Sequence, residues 1–271
     1  MNELSRFYDR CAAFYEGDYD AAGYHHDIPF YVEIAREAVR EVEGPVLELG
    51  CGTGRVLLPI ARAGIEAVGV DASPGMLERL RGVLGAEAEE VRRRVRVMEG
   101  DIRSVRVPGG EGAFALVTAP FRVAQHLLTL EDRRAWLRTV AHHLRRDPPG
   151  HLVFDVFQPD YEQIADSPVV SVDIERVDPE TGRRIRRVSR ADHHPESQTL
   201  DVTFEWLVAD PDGEERTERA IETTVRWYTR GEIECLLALE GFEINDFWGD
   251  FERTPFGADA EDQVVRAQLG R

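Results

Sequence analysis

Five short runs in the first 156 residues are β-branched or apolar on both faces: PVLEL (45–49), AVGVD (67–71), VRVME (95–99), FALVT (114–118) and HLVFDV (151–156). A strand with no clear polar face belongs inside a sheet that is covered on both sides. Between these runs, residues 55–63, 74–84 and 131–145 carry a helical period. The last of them opens with Glu131 and Asp132, where acids favour a helix N-terminus. Strand–helix alternation predicts right-handed crossovers and a doubly wound sheet. Ahead of the first strand, DIPFYVEIAREAVREV (27–42) predicts an amphipathic helix, with Asp27 as its cap and Pro29 near its first turn.

After residue 157 the rhythm changes. VVSVDIERVD, RRIRRVSRAD, QTLDVTFEWLVAD and EERTERAIETTVRWY alternate polar and apolar residues and are separated by the turn signals DPETG, HHPES and DPDG. That pattern predicts about four antiparallel strands over 169–227. A helix over 229–242, closed by Gly241, and two last strands in EINDFWGDF and DQVVRAQL follow. The expected fold is α/β: a Rossmann-like doubly wound sheet of about seven strands (45–157 and 228–271), with an antiparallel β-insertion (158–227) after the fifth strand.

Charge narrows the function. The 51 acidic and 33 basic residues give a net charge of −18. So negative a surface repels a phosphate backbone, which argues against nucleic acid and for a cationic or neutral small molecule. Every one of the 33 basic residues is arginine, so neither a lysine Schiff base nor a P-loop lysine is available. No apolar run approaches the roughly 20 residues that span a bilayer. The start MNELSRFYDRCAAFYEG lacks the basic-then-apolar order of a secretory signal, so a cytoplasmic protein without membrane partners is expected. Cys11, Cys51 and Cys235 have no metal-ligand spacing; buried apolar roles are expected for all three, and no metal.

The first strand runs into ELGCGTG, with Gly50, Gly52 and Gly54 at its carboxyl end, where ligands of doubly wound sheets sit. Glycine there allows positive φ and lets a ligand touch backbone, while the next helix aims its N–H groups at the same place. A dinucleotide fingerprint would put its third glycine one residue later. Glu48, two residues before Gly50, is awkward beside a pyrophosphate and comfortable beside a cationic amino-acid end.

These residues resemble the first motif of the class I S-adenosylmethionine-dependent methyltransferases. VGVDASPGML and EGDIRS follow in the order that family shows. The resemblance covers about 45–156 well and YTRGEIECLLALEGFEI weakly. It implies that Asp71 holds both ribose hydroxyls, Met76 covers the adenine face, Asp101 accepts from the adenine amine and Ile102 packs on the base. Cys51, Ala72, Gly100, Ala119 and Pro120 complete the implied cofactor set, with S-adenosylhomocysteine as product. Arg55 is expected to reach the cofactor carboxylate as a fork donor. Related enzymes fold an N-terminal segment, here 1–44, over the cofactor, with Tyr15 as the contact expected. Ala115 in FALV and the turn LRRDPPG depart from the family pattern, both away from the cofactor.

The stretch TAPFRVAQHL (118–127) is expected to line the acceptor side. Amino-methylating enzymes on DNA or glutamine carry a motif like [ND]-P-P-[YF] there; Thr118-Ala119-Pro120-Phe121 keeps part of its shape without the polar handle. The layout is similar to glycine N-methyltransferase and the nucleotide-sugar N,N-dimethyltransferases, whose insertion builds a lid or a homodimer contact. A small-molecule amine is therefore the expected acceptor. His126 is the acid/base or orienting candidate, and Tyr19, Tyr24, His26 and Phe121 are the substrate-side candidates. An O-methyltransferase, a cofactor-binding protein without turnover and an NAD-dependent oxidoreductase stay open as alternatives.

Overall fold

The computed structural model describes residues 8, 9, 18, 23, 25–179, 181–210 and 213–270. Helix α1 (Asp27–Glu41) precedes strand β1 (Val46–Leu49). Then come α2 (Leu57–Arg62), β2 (Ala67–Asp71), α3 (Pro74–Ala86), α4 (Glu89–Arg94), β3 (Val95–Glu99) and β4 (Leu116–Ala119). A single 3₁₀ turn (Val123–His126) leads to α5 (Leu130–His143), β5 (His151–Phe157) and the short α6 (Tyr161–Ala165). The antiparallel insertion is β6 (Val169–Val177), β7 (Arg184–His194), β8 (Thr199–Ala209) and β9 (Arg216–Arg226); α7 (Arg230–Leu239), β10 (Phe242–Trp248) and β11 (Asp262–Leu269) close the chain.

Seven strands form one sheet in the order β3-β2-β1-β4-β5-β11-β10. The five strands read as buried are its parallel part, and β11 lies antiparallel between β5 and β10. All four residues of β1 and of β4 are buried, as runs covered on both faces require. Leu47 and Leu49 pack with Trp136, Leu137 and Val140 of α5 on one face. Val46 packs with Tyr31 and Ile34 of α1 and Leu57 and Ile60 of α2 on the other. Alternation therefore points Glu48 to the α1/α2 side.

Strand order reverses between β1 and β4, so a crevice opens above their carboxyl ends. Caps fix the helices that frame it. Ser73 Oγ accepts from Met76 N–H at 3.1 Å with Pro74 next in line, and Thr129 Oγ1 accepts from Asp132 N–H at 3.1 Å. The four-stranded insertion forms its own sheet around Ile185, Trp206, Val208 and Ile221. Gln125 ties it to the main sheet: its amide donates to Arg226 O (2.9 Å) and accepts from Phe157 N–H (3.2 Å).

Three expectations need correction. Asp27 is not the cap of α1, because His26 holds that position without a side-chain bond; Asp27 is the first helical residue and is turned inward to Arg55. The fourth strand starts at Leu116 and not at Phe114, which makes only an isolated bridge to Leu144. Cys51 is buried as expected, but Cys235 lies exposed on α7, and Cys11 is outside the described residues.

Candidate active site

Gly50 and Gly52 both take positive φ, +82° and +52°. A side chain at Gly50 would run into Val123, whose Cγ2 lies 2.6 Å from the place of the missing Cβ. Gly52 is different: among the described residues nothing lies within 4 Å of the place of a Cβ. Asp71 braces this turn from the end of β2. Its Oδ2 accepts from Gly52 N–H and its Oδ1 from Ser73 N–H, each at 2.8 Å. A carboxylate has about four lone-pair sites, so both oxygens keep capacity for hydroxyl donors. Burial holds the Asp71 carboxyl above its ordinary range.

A cavity of about 360 Å³ spreads from this turn, which is the scale of a small-molecule site. Of the expected cofactor residues, Gly50, Gly52, Asp71, Ala72, Met76, Asp101, Ile102 and Pro120 line it. Met76 is buried beside the cavity at the start of α3. Asp101, just past β3, is gripped by Arg103: Nε donates to Oδ1 at 2.9 Å and Nη2 to Oδ2 at 2.5 Å. Those bonds hold its carboxyl below the usual range. Arg103 also reaches Asp132 of α5 at 2.5 Å, so one guanidinium closes this end of the cavity.

The far wall is apolar and aromatic. His126 and Phe121 line it, as expected of acceptor-side residues, together with Val123, Leu127 and Tyr8. Tyr8 Oη lies 2.8 Å from His126 Nε2, and the two rings meet edge to face at 5.5 Å. Burial pushes the imidazole down to about 4, and its buried Nδ1 has no hydrogen-bond partner among the described residues. At neutral pH His126 is therefore uncharged.

Behind the glycine turn sits Glu48. It is 2% exposed, its Oε2 has no partner among the described residues, and burial drives its carboxyl well above the ordinary range. Glu48 is not among the residues that line the cavity; it stands near the end of β1, two residues before the glycine turn. These residues thus fit a sulfonium nucleoside, and they offer no cradle of lysine or extra glycine to a pyrophosphate.

Other expected residues stand elsewhere. Cys51, Gly54, Gly100 and Ala119 are not among the lining residues; a Cβ at Gly100 would press on Val105 at 2.8 Å, so that glycine serves packing. Both terminal nitrogens of Arg55 go to the carboxylate of Asp27, at 2.5 and 2.6 Å, and its guanidinium lies 4.5 Å from the Phe121 ring centre. His26 meets Phe251 edge to face and lines a separate pocket in the β10–β11 loop. Tyr15, Tyr19 and Tyr24 lie outside the described residues. Sequence reasoning missed Tyr8, Asp9 and Arg103. Asp9 Oδ1 accepts from Ser73 Oγ at 2.6 Å and Gly75 N–H at 2.9 Å, which seats Tyr8 at the cavity. The signal available was a repeat: Tyr8 and Tyr15 each follow Phe and precede an acid, in FYD and FYE.

Residues 46–147 match a family model described as "Methyltransferase domain". The chain is 28% identical over 220 residues to the cypemycin N-terminal methyltransferase of a Streptomyces species, covering 81% of each. It is also similar to the solved CcbJ methyltransferase of Streptomyces caelestis, with TM-score 0.72, 24% identity and coverage of 91% of this chain and 94% of that one. CalS10, an amino pentose methyltransferase from Micromonospora echinaspora solved with bound S-adenosylmethionine, gives TM-score 0.69, 24% identity and coverage of 93% and 96%. A glycine turn backed by an acid, acids at successive strand ends and a mixed seven-stranded sheet agree with these matches: residues 46–147 match a methyltransferase domain, and the chain shares the fold of the solved methyltransferases.

Proposed function

We propose that the chain methylates the nitrogen of a small-molecule amine. When bound, S-adenosylmethionine supplies an electrophilic methyl group on a sulfonium. Asp71 would take the ribose hydroxyls, Asp101 the adenine amine, Met76 and Ile102 the faces of the base, and Gly52 the amino-acid end. The acceptor then lies against Tyr8, Phe121 and His126, which share the cavity with the cofactor residues.

The observation that carries nitrogen over oxygen is the state of His126. A hydroxyl acceptor needs a base for its proton during transfer. An imidazole pushed down to about 4 by burial is far too weak for that work. An amine needs no such base, because its neutral form comes from equilibrium with water before it binds. His126 is then an uncharged partner that orients the Tyr8 hydroxyl. The aromatic faces of Tyr8 and Phe121 suit the positive charge that appears on nitrogen. The insertion, tied beside the cavity through Gln125, is read as the acceptor-side cover.

The test is S-adenosylhomocysteine formation with a panel of primary and secondary amines and matched alcohols. Product with amines alone is expected; turnover of alcohols alone would defeat the reading, and none with either would favour a non-catalytic binder. Thermal shift separates the oxidoreductase alternative. Ligand at 100 times its Kd adds about 2.7 kcal/mol of stability, so a clear rise in Tm with S-adenosylmethionine and none with NAD is expected.

A further inference from the structure

Phe121 and Arg122 are consecutive non-glycine residues in the left-handed region, with φ of 60° and 66°. Bulky side chains rarely adopt it, and a pair in sequence persists only where the surroundings impose it. The imposing group is one carboxylate. Asp155, in β5 and 1% exposed, accepts Phe121 N–H on Oδ1 at 2.8 Å and Arg122 N–H on Oδ2 at 3.0 Å. Tyr31 of α1 donates its hydroxyl to Oδ1 at 2.5 Å, so the carboxylate is itself fixed from behind. The result of the strained turn is the placing of the Phe121 ring in the cavity wall, backed on its other side by Arg55.

We propose that Asp155 is a positioning residue for the methyl acceptor: its carboxylate holds the left-handed Phe121–Arg122 turn, and through it the aromatic wall against which the acceptor lies. The inference rests on the amine-methylation reading of the same cavity. It assigns Asp155 no contact with cofactor or acceptor. Burial, with Asp27 of α1 and Asp262 of β11 adding to it, raises the carboxyl to about 6, against the Tyr31 hydrogen bond and the Arg122 charge. The ionised form, with two acceptor oxygens, is thus the holding form at neutral pH.

Asp155→Asn keeps the volume and leaves one acceptor oxygen for two diverging donors. With the amine the wild type turns over best, kcat/KM is expected to fall roughly tenfold to a hundredfold, the size expected when a strained turn is released. The Kd for S-adenosylmethionine, read by calorimetry, should stay within about twofold, since Asp71, Met76, Asp101 and Ile102 hang on the ends of β2 and β3 and only Pro120 adjoins the turn. The wild-type to variant ratio of kcat/KM should shrink as pH drops through 6; protonation of the amine affects both proteins and cancels. Arg122→Gly, which relieves the left-handed strain, should restore part of the loss when combined with Asp155→Asn. If Asp155→Asn does not fold, Tyr31→Phe serves: a higher KM for the amine at unchanged cofactor Kd is expected. An unchanged kcat/KM in the variant that folds, or equal loss of cofactor and amine binding, overturns the proposal while leaving amine methylation intact. A wild type that methylates no amine defeats the underlying reading instead.

Discussion

Asp71 does two jobs with one carboxylate, and both are visible in its hydrogen bonds. It ties Gly52 to Ser73 and so joins the two turns that form the cofactor side of the cavity. Asp71→Asn would set an amide N–H₂ against one of those backbone donors and remove charge from any ribose contact. Charge-assisted hydrogen bonds contribute about 1.5–3 kcal/mol each, so the loss of one acceptor oxygen and of the charge weakens S-adenosylmethionine roughly tenfold to a hundredfold. Calorimetry giving the wild-type affinity would place the ribose elsewhere. His126 makes a different prediction. It should stay neutral throughout pH 5.5–8, since its imidazole is pushed down to about 4. The sign is that of a buried base, with the proton entering only in acid. Imidazole signals followed by NMR, with His126→Asn for assignment, would refute this by a midpoint near 6.5. Asp71, Met76 and Asp101 were legible because each closes or follows a strand whose apolar run announces it. Tyr8 was not, because its bond to His126 joins residues 118 apart and leaves no local pattern.

Whole elements were easier to read than single contacts. A strand covered on both faces leaves an apolar run, and β1, β2, β4 and β5 were found that way; β3 was expected to be buried too, but it is the sheet edge, with Arg96 and Glu99 exposed. Helix α2, of six residues, was read because four of them are apolar and buried, whereas α4 and α6, of six and five residues, bury one residue and none, so no period shows. Asp27 shows how a local rule loses to tertiary structure. It stands where a cap is favoured, yet the half-buried Arg55 beside it takes both its oxygens. The start of α3 shows the opposite, a cap that serves tertiary structure as well. Ser73 Oγ accepts from Met76 N–H and donates to Asp9, so one hydroxyl both caps the helix and anchors the N-terminal segment beside the cavity. Ser73→Ala should cost about 1 kcal/mol for the cap alone, or roughly 2–4 °C in a chain of this size. It should also raise KM for the amine, since Asp9 seats Tyr8. A lower Tm with unchanged KM would limit Ser73 to the helix.

At the scale of the molecule, two sheets must be held together by a chain whose net charge is −18. The insertion has only a small apolar cluster of its own, so polar ties carry more of its attachment than they do in the main sheet. Asp18 adds a polar centre within the insertion. It is fully buried, accepts from Trp206 Nε1 at 2.7 Å and Arg176 Nε at 3.1 Å, and faces Arg187 at 3.7 Å. No local pattern could have announced it, since Asp18 and Trp206 stand 188 residues apart. Arg187 keeps Asp173 at 2.7 Å when Asp18 is neutralised, whereas Arg176 loses the anion it meets there. Removing one partner of a buried ion pair typically costs about 3–5 kcal/mol; Asp18→Asn, which retains an acceptor for Trp206, should fall at or below the low end. Urea unfolding followed by tryptophan fluorescence should show an earlier midpoint, because Trp206 reports from within that cluster. Cofactor affinity should not move, since Asp71 and Asp101 stand on the other sheet. A midpoint equal to the wild type's would mean that the insertion is held by Gln125 and its neighbours alone, with the Asp18 pairs contributing no more than their desolvation costs.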